Sequence, residues 1–328
     1  MVFTSPSRQI SFSGLNRSGK TTVARIYAKF LASVKVLPPS STLKETSGAT
    51  LAHEGPKYTQ ELIDEVKAQG GVLFVDEAYQ LTAPYAPVSG RQALDLILTE
   101  TENNIGRLVV ILVGYNKEME SVFEHNPGLA SRIPYTMQFS DFQDVELWQI
   151  LRDCIDEKYS KKMVVAGGMD GLIMRIAIRR LARGRGIRGF GNARAVNNLL
   201  TKISERQAKR LTAEIRRRGK PRYLEFTQED LIGPRPSVVF DRPAWAKLKK
   251  LTGLASVKAS ATTMIEMIQT NYEREMKELK PLDFPLNRVF LGSPGTGKTT
   301  VAKLYGQIMA DLSLLSTGEG KHVPPISV

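Results

Sequence analysis

The chain has 328 residues, 42% of them hydrophobic and 24% charged, enough apolar material for one large core or two smaller ones. Its single cysteine, Cys154, excludes an intrachain disulfide and suits a reducing compartment. No apolar run approaches the roughly 18–20 residues of a membrane helix, and the opening MVFTSPSRQISFSG lacks the flanks of a secretory signal. The formal charge of +13 resides in one segment: Gly171–Lys220 holds fifteen Arg and Lys against two acids, and the rest of the chain is balanced.

In chain order, QISFSG alternates and ends in a glycine. GLNRSGKTT follows, and KTTVARIYAKFLASVKVL then sets Val23, Ile26, Tyr27, Phe30 and Leu31 at helical spacing. Strand, glycine loop and helix are the context that the pattern G-x-x-x-x-G-K-[ST] requires. Gly14, Asn16, Arg17, Ser18 and Gly19 belong to a loop whose successive backbone N–H groups form an anion nest at a helix N-terminus. Lys20 is expected to reach the β- and γ-phosphates of ATP, and Thr21, followed by Thr22, to bind Mg²⁺.

KYTQELIDEVKAQG reads as a helix closed by Gly70. GVLFVDEAY is a continuous apolar run of the kind that forms a central parallel strand buried on both faces. It ends in Asp76, expected in the Mg²⁺ shell, and Glu77, placed to orient and deprotonate an attacking water. RQALDLILTETENN reads as a helix, RLVVILVGYN as a second apolar strand and YTMQFSDF as a shorter one. Tyr115 and Asn116, at the tip of the second, either hold the nucleophilic water or are ordinary turn residues. Strands alternating with helices predict an α/β class with right-handed crossovers.

After about Asp144 the sequence turns helical, and no apolar strand is read through DVELWQILRDCIDEKYS, GGMDGLIMRIAIRRLARGRG and the long amphipathic stretch that begins NARAVNNLL. Pro221, Pro234 and Pro236 mark a linker, and helices are expected near Trp245–Leu251 and Ser256–Met276. LNRVFLGSPGTGKTTVAKLYGQIMADLSLL then repeats the opening strand, loop and helix. Its loop residues Gly292, Pro294, Gly295, Thr296, Gly297, Lys298, Thr299 and Thr300 are candidates for a second nucleotide, with Thr299 on its Mg²⁺. No Asp-Glu pair follows, so binding without hydrolysis is expected there. The division predicted is 1–144 for the nucleotide-binding subdomain, 145–220 for a helical lid, 221–250 for a linker and 251–328 for the N-terminal part of a second module. Where the second loop has Gly295 the first has Arg17; if φ > 0 is required, arginine costs about 1 kcal/mol, which predicts weaker or slower nucleotide binding at the first loop.

Taken together, ETSGATLAHEG, GGVLFVDEAYQL, VVILVGYNKEME, NPGLASRI and GFGNARAVNNLL resemble an AAA+ ATPase module of the CbbX/CfxX and stage V sporulation protein K-like group, most closely its tandem-module, fungal-type versions. The resemblance extends over nearly the whole chain. It implies a P-loop NTPase with a three-layer α/β/α parallel sheet and a C-terminal helical lid, followed by the start of a second module. It further implies that Arg132, in NPGLASRI, is an arginine finger for a neighbouring module's nucleotide. Arg194, in GNAR, would be the lid's contact with the γ-phosphate, and Tyr115, with Asn116 as alternative, the sensor on the strand tip. The implied partners are a homo-oligomer or neighbouring AAA+ modules, and a protein client. TSGATLAHEGPK falls where such modules grip a client with an aromatic residue, yet none occurs before Tyr58.

LTGLASVK resembles the helix that packs beside adenine; the first loop has no such helix ahead of it and the second has no acid strand after it. The chain therefore reads as a window on a longer tandem array or a protein shortened at both ends. The basic segment is open to four readings: nucleic acid, an acidic protein, a nuclear import signal at RRRGKPR, or a solvated lid face that meets a neighbouring subunit. Three functions are weighed: an oligomeric Mg²⁺-dependent ATPase that remodels a protein, a nucleotide-binding scaffold without turnover, and a nucleic-acid-dependent ATPase. The compartment expected is the cytoplasm, with the nucleus open.

Overall fold

The computed structural model describes residues 10–14, 20–126, 128–187, 190–312 and 314, with the side chains of 10–14, Asn116 and Ala130 outside that description. The chain divides into two compact units, residues 1–143 with 184–195, and residues 144–183 with 196–328.

The first unit is built on five parallel strands in the order β2-β3-β4-β1-β5, with β1 at Ile10–Gly14, β2 at Thr42–Ser47, β3 at Gly71–Asp76, β4 at Leu108–Gly114 and β5 at Tyr135–Phe139. Every residue of β4, and all of β3 before Asp76, is buried. Because side chains alternate along a strand, the two faces fill two apolar layers. Leu73, Val75, Val110 and Leu112 pack with Leu51, Ile63, Leu94 and Ile97 of helices α2 (Gly48–Gln69) and α3 (Val88–Asn103). Val72, Phe74, Ile111 and Val113 pack on the other side with Ala24 and Leu31 of helix α1 (Lys20–Ser33). Each such Val, Leu, Ile or Phe side chain contributes roughly 1.5–3 kcal/mol on burial, so this sandwich holds the strand ends in place.

β2 was not legible in the sequence: TLKETS has no apolar alternation. It is an edge strand, held by its ladder to β3 and by a Lys44–Glu65 ion pair at 2.8 Å. α2 also starts well before the expected KYTQELIDEVKAQG. Ser47 caps it, its Oγ accepting from the Thr50 N–H at 3.1 Å, and it is broken at Gly55-Pro56. Two short helices, α4 (Asn116–His125) and α5 (Leu129–Arg132), connect β4 to β5.

The second unit is mainly helical: α6 (Asp144–Lys158), α7 (Leu172–Ala182), α8 (Ala193–Arg216, its first turn in the first unit), α9 (Gln228–Ile232), α10 (Pro243–Lys250), α11 (Ala255–Met276) and α12 (Lys298–Asp311). A two-residue parallel pairing joins β6 (Val164–Val165) to β7 (Glu225–Phe226), where no strand was expected. The proline-marked stretch is structured: Thr227 and Asp230 close a capping box on α9, and Pro243 starts α10. Trp245, Leu248, Met264, Ile265, Leu304 and Ile308 form the core that joins α10, α11 and α12.

The strand expected at LNRVFLG does not form. A strand is stable only with a ladder partner, and none is present beside residues 287–292 among the described residues. Val289 and Leu291 are 83% and 88% exposed. Phe290 only meets Tyr305 edge-on, with ring centroids 6.0 Å apart. No described helix is long and apolar enough to cross a membrane.

Candidate functional site

In an open parallel sheet, ligands bind beyond the carboxyl ends of the strands. In the first unit β1, β3 and β4 end together there: Ser13 lies opposite Gly114 and Ser47 opposite Asp76. Gly14 is the last residue of β1, and Asn16, Arg17, Ser18 and Gly19 lie outside the described residues.

Lys20, the first residue of α1, is buried. Burial lowers its pKa, and the negative charge of Asp76 opposes that shift. Its Nζ lies 6.0 Å from the Tyr115 ring centroid, and Tyr115 in turn packs on Tyr79, with centroids 5.7 Å apart. A buried ammonium whose charge is disfavoured by its surroundings is a fitting seat for an anion. Thr21 is half-buried and Thr22 exposed on the same turn.

Asp76 is exposed at the tip of β3, and one carboxylate oxygen accepts the Glu77 N–H at 2.9 Å. The other points are available to a hard cation of the Mg²⁺ type, for which carboxylate and hydroxyl oxygens are suitable ligands. Glu77 holds a left-handed backbone with φ 50°, unusual for a side chain with a Cβ. Its own charge, after burial, raises the pKa of the Tyr79 phenol.

Gly48 accounts for how that turn is held. A Cβ on Gly48 would collide with the Glu77 carbonyl oxygen and press on Ala78 at 3.1 Å, so the start of α2 closes directly against the acid turn. Nothing in the sequence marked this glycine; the contact exists only because β2 lies in register with β3.

Tyr115 and Asn116 lie at the tip of β4, with Tyr115 immediately before α4 and Asn116 its first residue. Arg132 ends α5, and its Nε lies 2.7 Å from Glu102 Oε1, close enough for an ion pair although the N–H is off the hydrogen-bond axis. Arg194 is exposed on the first turn of α8, its backbone N–H donating to the Gly191 carbonyl at 2.8 Å. The structure thus brings together Lys20, Asp76, Glu77 and Tyr115, and leaves Arg132 on its own unit's Glu102.

The segment without an early aromatic presents a polar tip. Leu51 and Ala52 are buried in the core, His53 and Glu54 are exposed, and Tyr58 packs against that core. Exposed apolar side chains occur just ahead of α3, which sequence reading passed over: Tyr85, 79% exposed, follows Pro84, and Val88, 72% exposed and the first residue of α3, follows Pro87. The start of α3 is tied to α2 by the Ser89 hydroxyl, which donates to the Ala52 carbonyl at 2.7 Å.

In the second unit the loop before α12 shows Gly295 at φ 80° and Gly297 at φ 83°. Thr296 Oγ1 donates to the Ser293 carbonyl, and Lys298 Nζ to the Gly292 and Ser293 carbonyls, each at 2.8 Å. Pro294, Thr299 and Thr300 are exposed. Gly295 aligns with Arg17, so the second loop uses a left-handed backbone at the position where the first carries a Cβ.

This arrangement defines a class. Residues 10–140 match the family of ATPases associated with various cellular activities, AAA, and residues 143–237 match the AAA lid domain. The chain belongs to this AAA family. It is 36% identical over 211 residues to Protein CbbX of Cereibacter sphaeroides, covering 63% of this chain and 65% of that one. It is 35% identical over 245 residues to the plasmid Protein CbxX of Cupriavidus necator, covering 73% of each. With the chloroplastic ribulose bisphosphate carboxylase/oxygenase activase of Cyanidioschyzon merolae it shares 33% identity over 213 residues, 63% of this chain and 69% of that one. The chain thus spans just under two thirds of CbbX and from 69 to 73% of the other two. The crystal structure of the FIGL-1 AAA domain in complex with ADP superposes with a TM-score of 0.50 at 15% identity, over 80% of this chain and 79% of that one, and shares the fold.

Proposed function

We propose that the first unit binds ATP with Mg²⁺ and hydrolyses it as part of an oligomer that remodels a protein client. The observation that carries this reading is a buried Lys20 within the electrostatic reach of Asp76, at the tip of a strand two places from β1, beside a Glu77 held in a left-handed turn. In it, backbone groups following Gly14 cradle the phosphates, Lys20 neutralises the β- and γ-oxygens, and Thr21 and Asp76 hold the metal. The metal, when bound, neutralises charge that develops on the phosphoryl oxygens. Glu77 takes the proton of the attacking water, and Tyr115 or Asn116 positions that water.

Arg132 acts on a neighbouring protomer's nucleotide, which requires its exchange from Glu102 to the phosphate; Arg194 reports nucleotide state to the lid. The ribulose bisphosphate carboxylase/oxygenase activase of C. merolae supports a protein as client. Tyr85 and Val88 provide the apolar client contact that the polar His53-Glu54 tip lacks. The second loop, with Lys298 and Thr299, is a further candidate to hold a nucleotide's phosphates.

Phosphate release across a range of protein concentrations, in the parent and in Glu77→Gln, tests the reading. Specific activity should rise with concentration, and Glu77→Gln should lower it by about 10²–10⁴-fold while ATP still binds. Absence of phosphate release at every concentration would replace the ATPase with a nucleotide-binding scaffold.

A further inference from the structure

The structure divides the basic segment into two populations. Arg175 and Arg179 pair with Glu278, and Arg180 and Arg183 with the nearly buried Glu275 of α11. Arg210 pairs with the buried Asp230 and with Glu214, and Arg206 donates to the Asp230 and Leu231 carbonyls. These cations are consumed by the unit's own acids and carbonyls. Lys202, Lys209, Arg216, Arg217, Arg218 and Lys220 are all exposed, and none of their side chains makes a hydrogen bond or ion pair among the described residues.

Three of the six share one face of α8. Lys202, Lys209 and Arg216 recur every seven residues, so they lie nearly in line and about 10 Å apart along the axis. The surface is low between the last two of them, Lys209 and Arg216. Ala208, Lys209, Thr212, Ala213, Arg216 and Arg217 line an open groove of about 490 Å³. Among the residues of α8 itself, Glu205 brings the one negative charge to this stretch, since Glu214 is turned to Arg210.

We infer that this face of α8 docks an acidic helix of a partner protein, one with carboxylates at seven-residue intervals. Such a helix repeats its charge at the same axial spacing as Lys202, Lys209 and Arg216. The small side chains of Ala208, Thr212 and Ala213 allow its backbone to approach closely, and helices packed at a shallow angle stay in register over several turns. Nucleic acid fits this face less well. Single strands are held by stacking on aromatic rings, and the face has none: Phe190 is buried, and Tyr223 is attached through its carbonyl to Gln207, on the opposite side of α8.

The test uses the full chain and fluorescence anisotropy at physiological salt. Three labelled probes are titrated: an acidic helical peptide of roughly three heptads, a peptide of the same composition with the heptad register scrambled, and a single-stranded DNA of similar charge. The registered peptide should bind best, the scrambled one more weakly by about fivefold or more, and Lys209→Glu combined with Arg216→Glu should weaken the registered peptide by about tenfold or more. An unchanged melting temperature shows that these exposed substitutions leave the fold intact. Equal binding of the two peptides, tighter binding of DNA, or no binding of either peptide would each overturn the inference. Lys247→Glu, on α10, serves as a charge control and should leave peptide binding unchanged.

Discussion

The two glycine loops differ little as strings but greatly in context. The first follows a strand that pairs with β4 and β5, two places from the acid strand β3. The second follows residues 287–292, which join no strand ladder among the described residues, and its Lys298 bonds to its own loop's carbonyls. A phosphate loop is therefore only part of a catalytic site. The sheet supplies the acids, and the strand order decides how near they lie.

This comparison can be broken or sharpened by substitution. The largest effect expected is the asymmetry of the two lysines. Lys20→Ala should lower ATP turnover by about 10²–10³-fold, whereas Lys298→Ala should leave turnover within about twofold, as read by phosphate release. A comparable loss in both would mean that the second loop participates in hydrolysis. Gly48→Ala comes next. Overpacking against the Glu77 carbonyl should cost roughly 1–3 kcal/mol and displace the acid turn, lowering kcat by about tenfold while nucleotide affinity, followed with a fluorescent ATP analogue, changes little. Unchanged kcat would remove Gly48 from the positioning of Glu77.

Arg17→Gly should have a smaller effect in the opposite direction. If the first loop needs the left-handed backbone seen at Gly295, relief of about 1 kcal/mol tightens binding of the fluorescent analogue by about fivefold. Equal affinity in the two proteins would dispose of the strain argument. Smallest is Gly306→Ala, inside α12, where a Cβ meets nothing within 4 Å. It should stabilise the second unit by about 0.5–1 kcal/mol, seen as a higher urea midpoint. The sign contrast with Gly48→Ala separates a glycine required by packing from one that is merely tolerated.

The candidate site was legible to the extent that its residues advertised themselves locally. GVLFVDEAY announced both a buried strand and the acids at its end, since a strand covered on two faces must be apolar throughout and can carry charge only at its tip. TLKETS gave no such signal, because an edge strand needs neither alternation nor apolar faces when its ladder to β3 supplies the hydrogen bonds. LNRVFLG misled for the converse reason: its composition suits a strand, but composition cannot supply a partner. Arg175, Arg179, Arg180 and Arg183 counted as one basic block in the sequence. Their acids, Glu275 and Glu278, lie about a hundred positions further on and were not associated with them.

Sequence alone determined the α/β class, the glycine-loop pattern with an acid-tipped strand after it, and the location of the excess charge. Each of these rests on local chemistry: side-chain periodicity, glycine-rich backbone and titratable groups at strand ends. Tertiary structure decided the contact of Gly48 with Glu77, the attachment of Arg132 to Glu102, the exposure of Tyr85, and the face of α8 that remains uncompensated. Those depend on which distant segments become neighbours, and that is fixed by strand order and helix packing rather than by any residue's own preference.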